Sequence, residues 1–201
     1  MVDKGRAGKG YVKTQTVVMA VFLAFAAGFF AGIVLTIIKS GGTQPQAVDA
    51  ETTAAMEEAR QRKAQIAQLE ALTEKNPQDG EAWTRLGHAY FDDDRPEKAI
   101  AAYRRSLEIR PGNADVWTDL GVMYRRNHQP EEAVQAFDRA VLINPEHAIA
   151  WFNKGVVLIH DLKQVDAGLQ AWEALLEVNP MAKAPNGQTV EELIHHFREH
   201  E

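Results

Sequence analysis

His196, Glu199 and His200 spell HxxEH, two imidazoles one helical turn apart with a carboxylate beside them, a pattern that in zinc hydrolases holds the metal and activates water. Such a site needs a third ligand well downstream, and the sequence runs only one residue past His200. The expectation is therefore a solvated charge cluster, with adventitious metal binding by His195, His196 and His200 at most, and no catalytic or metal-binding residue. No Gly-rich phosphate loop, no GxSxG elbow and no paired carboxylates in apolar surroundings occur, so neither enzymatic activity nor a cofactor is expected. The absence of Cys excludes disulfides, thiolate metal sites and covalent haem attachment. What remains as chemistry is recognition: Arg125 and Arg126 form a basic pair able to hold a ligand carboxylate.

The elements that position these residues are legible in a repeat. Trp83, Leu86, Gly87, Tyr90, Pro96, Ala99, Tyr103 and Pro111 recur 34 residues later as Trp117, Leu120, Gly121, Tyr124, Pro130, Ala133, Phe137 and Pro145. In each first helix Trp, Leu and Tyr fall at i, i+3 and i+7, one apolar stripe, and the Gly after Leu lets a second helix approach closely. Pro96 and Pro130 suit the first turn of that second helix, and Pro111 and Pro145 end it. A third copy is altered: Trp151 and Gly155 keep their places, Lys154 and Leu158 replace Leu and Tyr, and one extra residue in the turn between Ile159 and Asp166 aligns Gly168, Trp172, Leu175 and Pro180. One such unit cannot bury its own apolar face, so the copies must stack.

This period and residue order resemble the tetratricopeptide repeat. The resemblance implies an all-α solenoid of about three helix-turn-helix repeats, at residues 80–113, 114–147 and, in divergent form, 148–182. Ahead of them, residues 49–79 read as one long helix whose Ile66, Leu69 and Leu72 cap the solenoid. After them, residues 183–201 carry a closing helix: Thr189 with Glu192 makes a capping box, and Val190, Leu193, Ile194 and Phe197 form one apolar face.

The N-terminal 48 residues differ in kind. Residues 1–16 are polar and basic, and Val17 to Ile38 is a charge-free run long enough to cross a bilayer as a helix, too long for a secretory h-region. Lys4, Arg6, Lys9 and Lys13 precede it and only Lys39 follows closely, so the N-terminus is expected in the cytoplasm and the repeats across the membrane, in the periplasm of a bacterial cell. Ala20, Ala24, Gly28 and Gly32 form a small-residue ridge suited to pairing with a like or different membrane helix. Residues 39–48 read as a linker. The chain carries a formal charge of −6; residues 1–40 hold five Lys/Arg and one Asp, leaving 17 Lys/Arg against 27 Asp/Glu in the rest. That acidic balance argues against nucleic acid as a partner.

In tetratricopeptide repeats the first helices line a groove that binds protein or peptide. Carried over, its positions are Glu81, Thr84, His88 and Phe91, then Asp115, Thr118, Val122 and Arg125, then Ile149, Phe152, Val156 and Ile159, a trend from polar to apolar. Family members that bind chaperone C-termini use Lys and Asn where this chain has Thr84, His88, Thr118 and Val122, so that clamp is not expected. Residues 168–176, Pro180 and the helix from Val190 are also similar to the end of tetratricopeptide subunits of bacterial cytochrome c maturation systems. That likeness implies a membrane-anchored scaffold presenting apocytochrome c or haem-lyase components. A structural assembly factor of another envelope complex, a pilus or secretion system, is the alternative.

Overall fold

A computed structural model describes residues 50–199, and the anchor, its ridge residues Ala20, Ala24, Gly28 and Gly32, and His200 lie outside them. The chain divides into two compact units, 1–55 and 56–201, and the account below concerns the second. The described residues form eight helices and no named strand: α1 (Ala50–Lys75), α2 (Gly80–Asp92), α3 (Pro96–Ile109), α4 (Ala114–Arg126), α5 (Pro130–Ile143), α6 (Ala148–Val156, continued as a π-helix over Val157–Asp161), α7 (Val165–Val178) and α8 (Val190–Glu199). None of them is long and apolar enough to cross a membrane.

Helices α2 and α3, α4 and α5, and α6 and α7 pack as successive hairpins. Local chemistry sets their ends. Asp79 caps α2 by accepting from the amides of Glu81 and Ala82 at 3.1 and 3.0 Å, and Asn113 caps α4 through the amide of Val116 at 3.2 Å. Pro96 and Pro130 occupy the first turns of α3 and α5, where a missing N–H leaves nothing unpaired. Each hairpin turn places one residue in the left-handed region, Asp94, His128 and Lys163, with φ of 51°, 57° and 58°. The side chains of Trp83, Trp117 and Trp151 each donate their indole N–H to the carbonyl six residues earlier, Pro77, Pro111 and Pro145, at 3.1, 2.9 and 2.9 Å. These tryptophans are therefore clamps between consecutive units, only partly buried, where the repeat pattern alone suggested core residues.

The true core lies where a first-helix glycine meets a second-helix ring. A Cβ on Gly87 would sit 2.4 Å from the Tyr103 ring, on Gly121 2.5 Å from Phe137, and on Gly155 2.3 Å from Trp172. Tyr103, Phe137 and Trp172 are all fully buried. Close packing of this kind is what a bare backbone permits and any side chain forbids.

In the third pair the extra residue lies within the first helix, not in the turn where the sequence alignment placed it. The turn amide bonds the carbonyl five residues back in the first two pairs (Arg95 to Tyr90, Gln129 to Tyr124, both 2.9 Å) but six back in the third (Gln164 to Leu158, 2.8 Å). The helix accommodates the insertion by widening to π over Val157–Asp161. This rotates Ile159 inward, to 4% exposure, against Gly168, where a Cβ would lie 2.3 Å from Ile159 Cγ1.

At the ends, Ile66 and Leu69 of α1 join the core that contains Leu86 and Tyr103. Ile194 and Val190 of α8 join that of Trp172, with Phe197 5.9 Å from the Trp172 ring. The capping box forms as the sequence implied: the Thr189 amide donates to Glu192 Oε2 at 2.9 Å and the Glu192 amide to Thr189 Oγ1 at 3.2 Å.

Candidate functional site

The sequence-derived groove residues separate into three groups. Thr84, Thr118 and Ile159 are buried, at 5%, 4% and 4% exposure, so no ligand reaches them in this structure. The Thr84 hydroxyl contacts Ser106 Oγ at 2.6 Å and the Gly80 carbonyl at 3.1 Å, tying α2 to α3. The Thr118 hydroxyl reaches the Ala114 carbonyl and His147 Nε2, at 2.9 and 3.2 Å. Both are structural pins, because a threonine at these positions is short enough to satisfy its hydroxyl within the hairpin. Ile159 is turned away by the π segment.

The second group is polar and already paired. His88 Nε2 lies 3.1 Å from Asp119 Oδ2, bridging the first helices of consecutive pairs, and this hydrogen bond holds the imidazole pKa above its ordinary value against the opposing effect of partial burial. Arg125 Nε lies 2.6 Å from Asp161 Oδ2. The expected carboxylate anchor is thus engaged by the end of the π segment. Arg126 covers the Phe91 ring at 4.5 Å and approaches Asp94 at 3.5 Å. Glu81 pairs with Arg110, and Asp115 with His147 at 3.1 Å.

The third group faces open space. Ile149, 62% exposed, and Phe152 line a pocket of about 410 Å³ whose other walls are Leu175, Asn179, Ala182, Lys183 and Pro185. Phe152 is held rigidly: its ring stacks on Trp172 at 6.0 Å and 15°, and its carbonyl accepts the Trp172 indole N–H at 3.1 Å. Val122 and Val156 are half-buried. The pocket exists because the chain after α7 does not start another first helix. Residues 182–190 make a tight return instead, with the Val190 amide bonded to the Ala182 carbonyl at 2.9 Å and Gly187 at a φ of 89°. Lys183 contributes the only charged side chain to the lining. Sequence reasoning missed Lys183, Asn179 and Pro185, since a connector carries no periodic signal.

His195 Nδ1 pairs with Glu199 Oε2 at 3.2 Å on the exposed side of α8, and among the described residues no group of three His, Cys, Asp or Glu side chains is placed to hold a metal.

No curated protein sequence matches the chain. Solved structures similar in fold include MamA (TM-score 0.58, 20% identity, covering 66% of this chain and 75% of that one). The first tetratricopeptide domain of Spaghetti (RPAP3), bound to an HSP90 peptide, aligns at TM-score 0.53 and 20% identity over 61% of this chain and 92% of that one. The Sgt2 tetratricopeptide domain of Aspergillus fumigatus aligns at 0.54 and 21%, over 60% and 80%. Sequence profiles of the tetratricopeptide repeat match residues 80–113 and, in a shifted frame, 102–135, so the chain carries tetratricopeptide repeats there, and the third hairpin repeats the same glycine-to-ring packing.

Proposed function

We propose that the protein is a non-catalytic scaffold that binds a peptide segment of a partner on its first-helix face, tethered to a membrane through Val17 to Ile38. The observation that carries the binding site is the pocket of about 410 Å³ walled by Ile149 and Phe152. It is apolar, it is shaped by a ring locked against Trp172, and it ends at an exposed ammonium, Lys183. Solvent-exposed Ile149 gains by being covered, at about 1.5–3 kcal/mol for full burial of such a side chain. A tetratricopeptide domain of similar fold is bound to a peptide, which supports a peptide as the class of ligand. The cation available to a ligand carboxylate is Lys183, since Arg125 is held by Asp161.

Presentation of apocytochrome c or haem-lyase components, with the solenoid in the periplasm, is the narrower proposal, and it rests on the sequence likeness of residues 168–197 alone. Titrating the full-length chain with C-terminal peptides of candidate apocytochromes, with and without the terminal carboxylate, tests both levels. Phe152→Ala should weaken binding about 10- to 150-fold, the factor that corresponds to burying one such ring. Ile149→Asp, at an exposed position, should do the same without disturbing the fold. Binding that ignores both variants moves the site off this face, and no binding to any apocytochrome peptide favours an assembly role in another envelope complex.

A further inference from the structure

On the opposite face, each interval between successive second helices is floored by a first helix, and the outer two intervals hold a lysine of the chain's own. Between α1 and α3, the Lys98 ammonium lies 5.2 Å from the Tyr90 ring centroid and 3.8 Å from Glu70. Glu70 also accepts the Tyr90 hydroxyl, which closes the gap. Between α5 and α7, the Lys154 ammonium lies 5.3 Å from the Trp151 ring centroid and 2.6 Å from Asp138. An ammonium over an aromatic face and against a carboxylate is thus the arrangement this solenoid uses twice to fill that position.

The middle interval, between α3 and α5, has the rings and the acids but no lysine. Trp117, Leu120 and Tyr124 floor a cleft of about 630 Å³, rimmed by Glu97, Glu132 and Arg104. Repeat alignment shows what changed: Glu132 stands at the position of Lys98, and Leu120 at that of Lys154. The Trp117 indole is fixed by its bond to the Pro111 carbonyl. Among the described residues no cation lies over Trp117 or Tyr124. Glu108, also in the lining, is engaged by Arg105 at 2.8 Å, whereas among the described residues Glu97 has no ion-pair partner and Glu132 has only a 3.4 Å contact from Gln129 Nε2.

We infer that this cleft is a second docking site, and that it takes a lysine side chain, with its neighbouring apolar residues, from a partner protein. The ammonium sits over Trp117 and Tyr124 and is neutralised by Glu132 and Glu97. Arg104, at the place of Glu70 and Asp138, opposes it and sets a limit on affinity.

The probe is a fluorescein-labelled, C-amidated peptide of alternating leucine and lysine, titrated by polarisation into the full-length chain in mild detergent. An alternating leucine and glutamate peptide is the control. The lysine peptide should bind with a salt-sensitive affinity, and the glutamate peptide at least tenfold more weakly. Glu132→Lys installs the chain's own lysine and should weaken binding tenfold or more with unchanged thermal melting, while Arg104→Ala should tighten it two- to fivefold. Phe152→Ala should leave it unaltered, which separates this site from the first-helix pocket. Equal binding of both peptides, indifference to Glu132→Lys, loss in Phe152→Ala, or no binding at all would each overturn the proposal.

Discussion

The second and third hairpins are built from the same pattern yet differ by one residue, and most of what is particular to this protein follows from that difference. In α4 and α5, Gly121 meets Phe137, Ala133 is fully buried, and Arg125 at the eighth place after Trp117 is exposed. In α6 and α7 the insertion widens the helix to π, Ile159 at the corresponding eighth place after Trp151 is buried, and Ala133 is replaced by Gly168 to make room for it. The larger Trp172 takes the place of Phe137, and its outward side supports Phe152. The lesson is that the divergent repeat is a compensated set of changes, in which a backbone insertion, a glycine and a larger ring belong together.

The largest test of this comparison is to remove the two kinds of tryptophan. Trp172→Ala empties a site with 2% exposure and should cost about 3–5 kcal/mol in denaturant titration, while Trp117→Ala, a half-buried clamp, should cost about 1–2 kcal/mol. Equal costs would mean that the glycine-to-ring contact is not the main packing joint.

A sharper test reverses the insertion. Deleting Leu162 should return the third pair to regular register, swing Ile159 outward and leave a void above Gly168, at about 2–3 kcal/mol. Adding Gly168→Ala, the residue type of Ala99 and Ala133, should recover part of that loss in the deletion but cost about 1–3 kcal/mol in the parent, where the Cβ would lie 2.3 Å from Ile159. The sign reversal in a double-mutant cycle is the readout. Additive effects would separate the insertion from the glycine.

These contrasts also show what a sequence reveals here. Eight residues at a fixed 34-residue spacing specify helices, turns and stacking, because each does a local job that only a few residue types can do. Trp172 and the extra residue were also visible as departures from the pattern. The exposure of the groove positions was not, since it depends on whether a neighbour satisfies a hydroxyl, as for Thr84 and Thr118, or a helix unwinds by one residue, as for Ile159. Nor was the pairing of Arg125 with Asp161, 36 residues away, in a segment whose register the insertion had changed. The open cleft over Trp117 required knowing that its two counterparts are filled from within.

The smallest effect concerns the joint between the first two pairs. Asp119 raises the pKa of His88 in the folded chain, so the protonated form is favoured by folding. A raised folded-state pKa contributes stability in full below the unfolded value of about 6.5, and that contribution fades as pH rises through the folded value. The pair is half-exposed, with His88 50% and Asp119 33% accessible, so the contribution is a surface ion pair's, below about 1 kcal/mol. Melting of the parent relative to His88→Gln should therefore shift upward by a degree or two at pH 5.5 and converge near pH 8.5, and high salt should shrink the gap. The joint between the second and third pairs has no such dependence at the matching place, because Val122 stands where His88 does and Asn153 where Asp119 does. If Val122→Ala produced the same pH-dependent gap, the titration would belong to some other group, and the His88 bridge would be a contact without consequence.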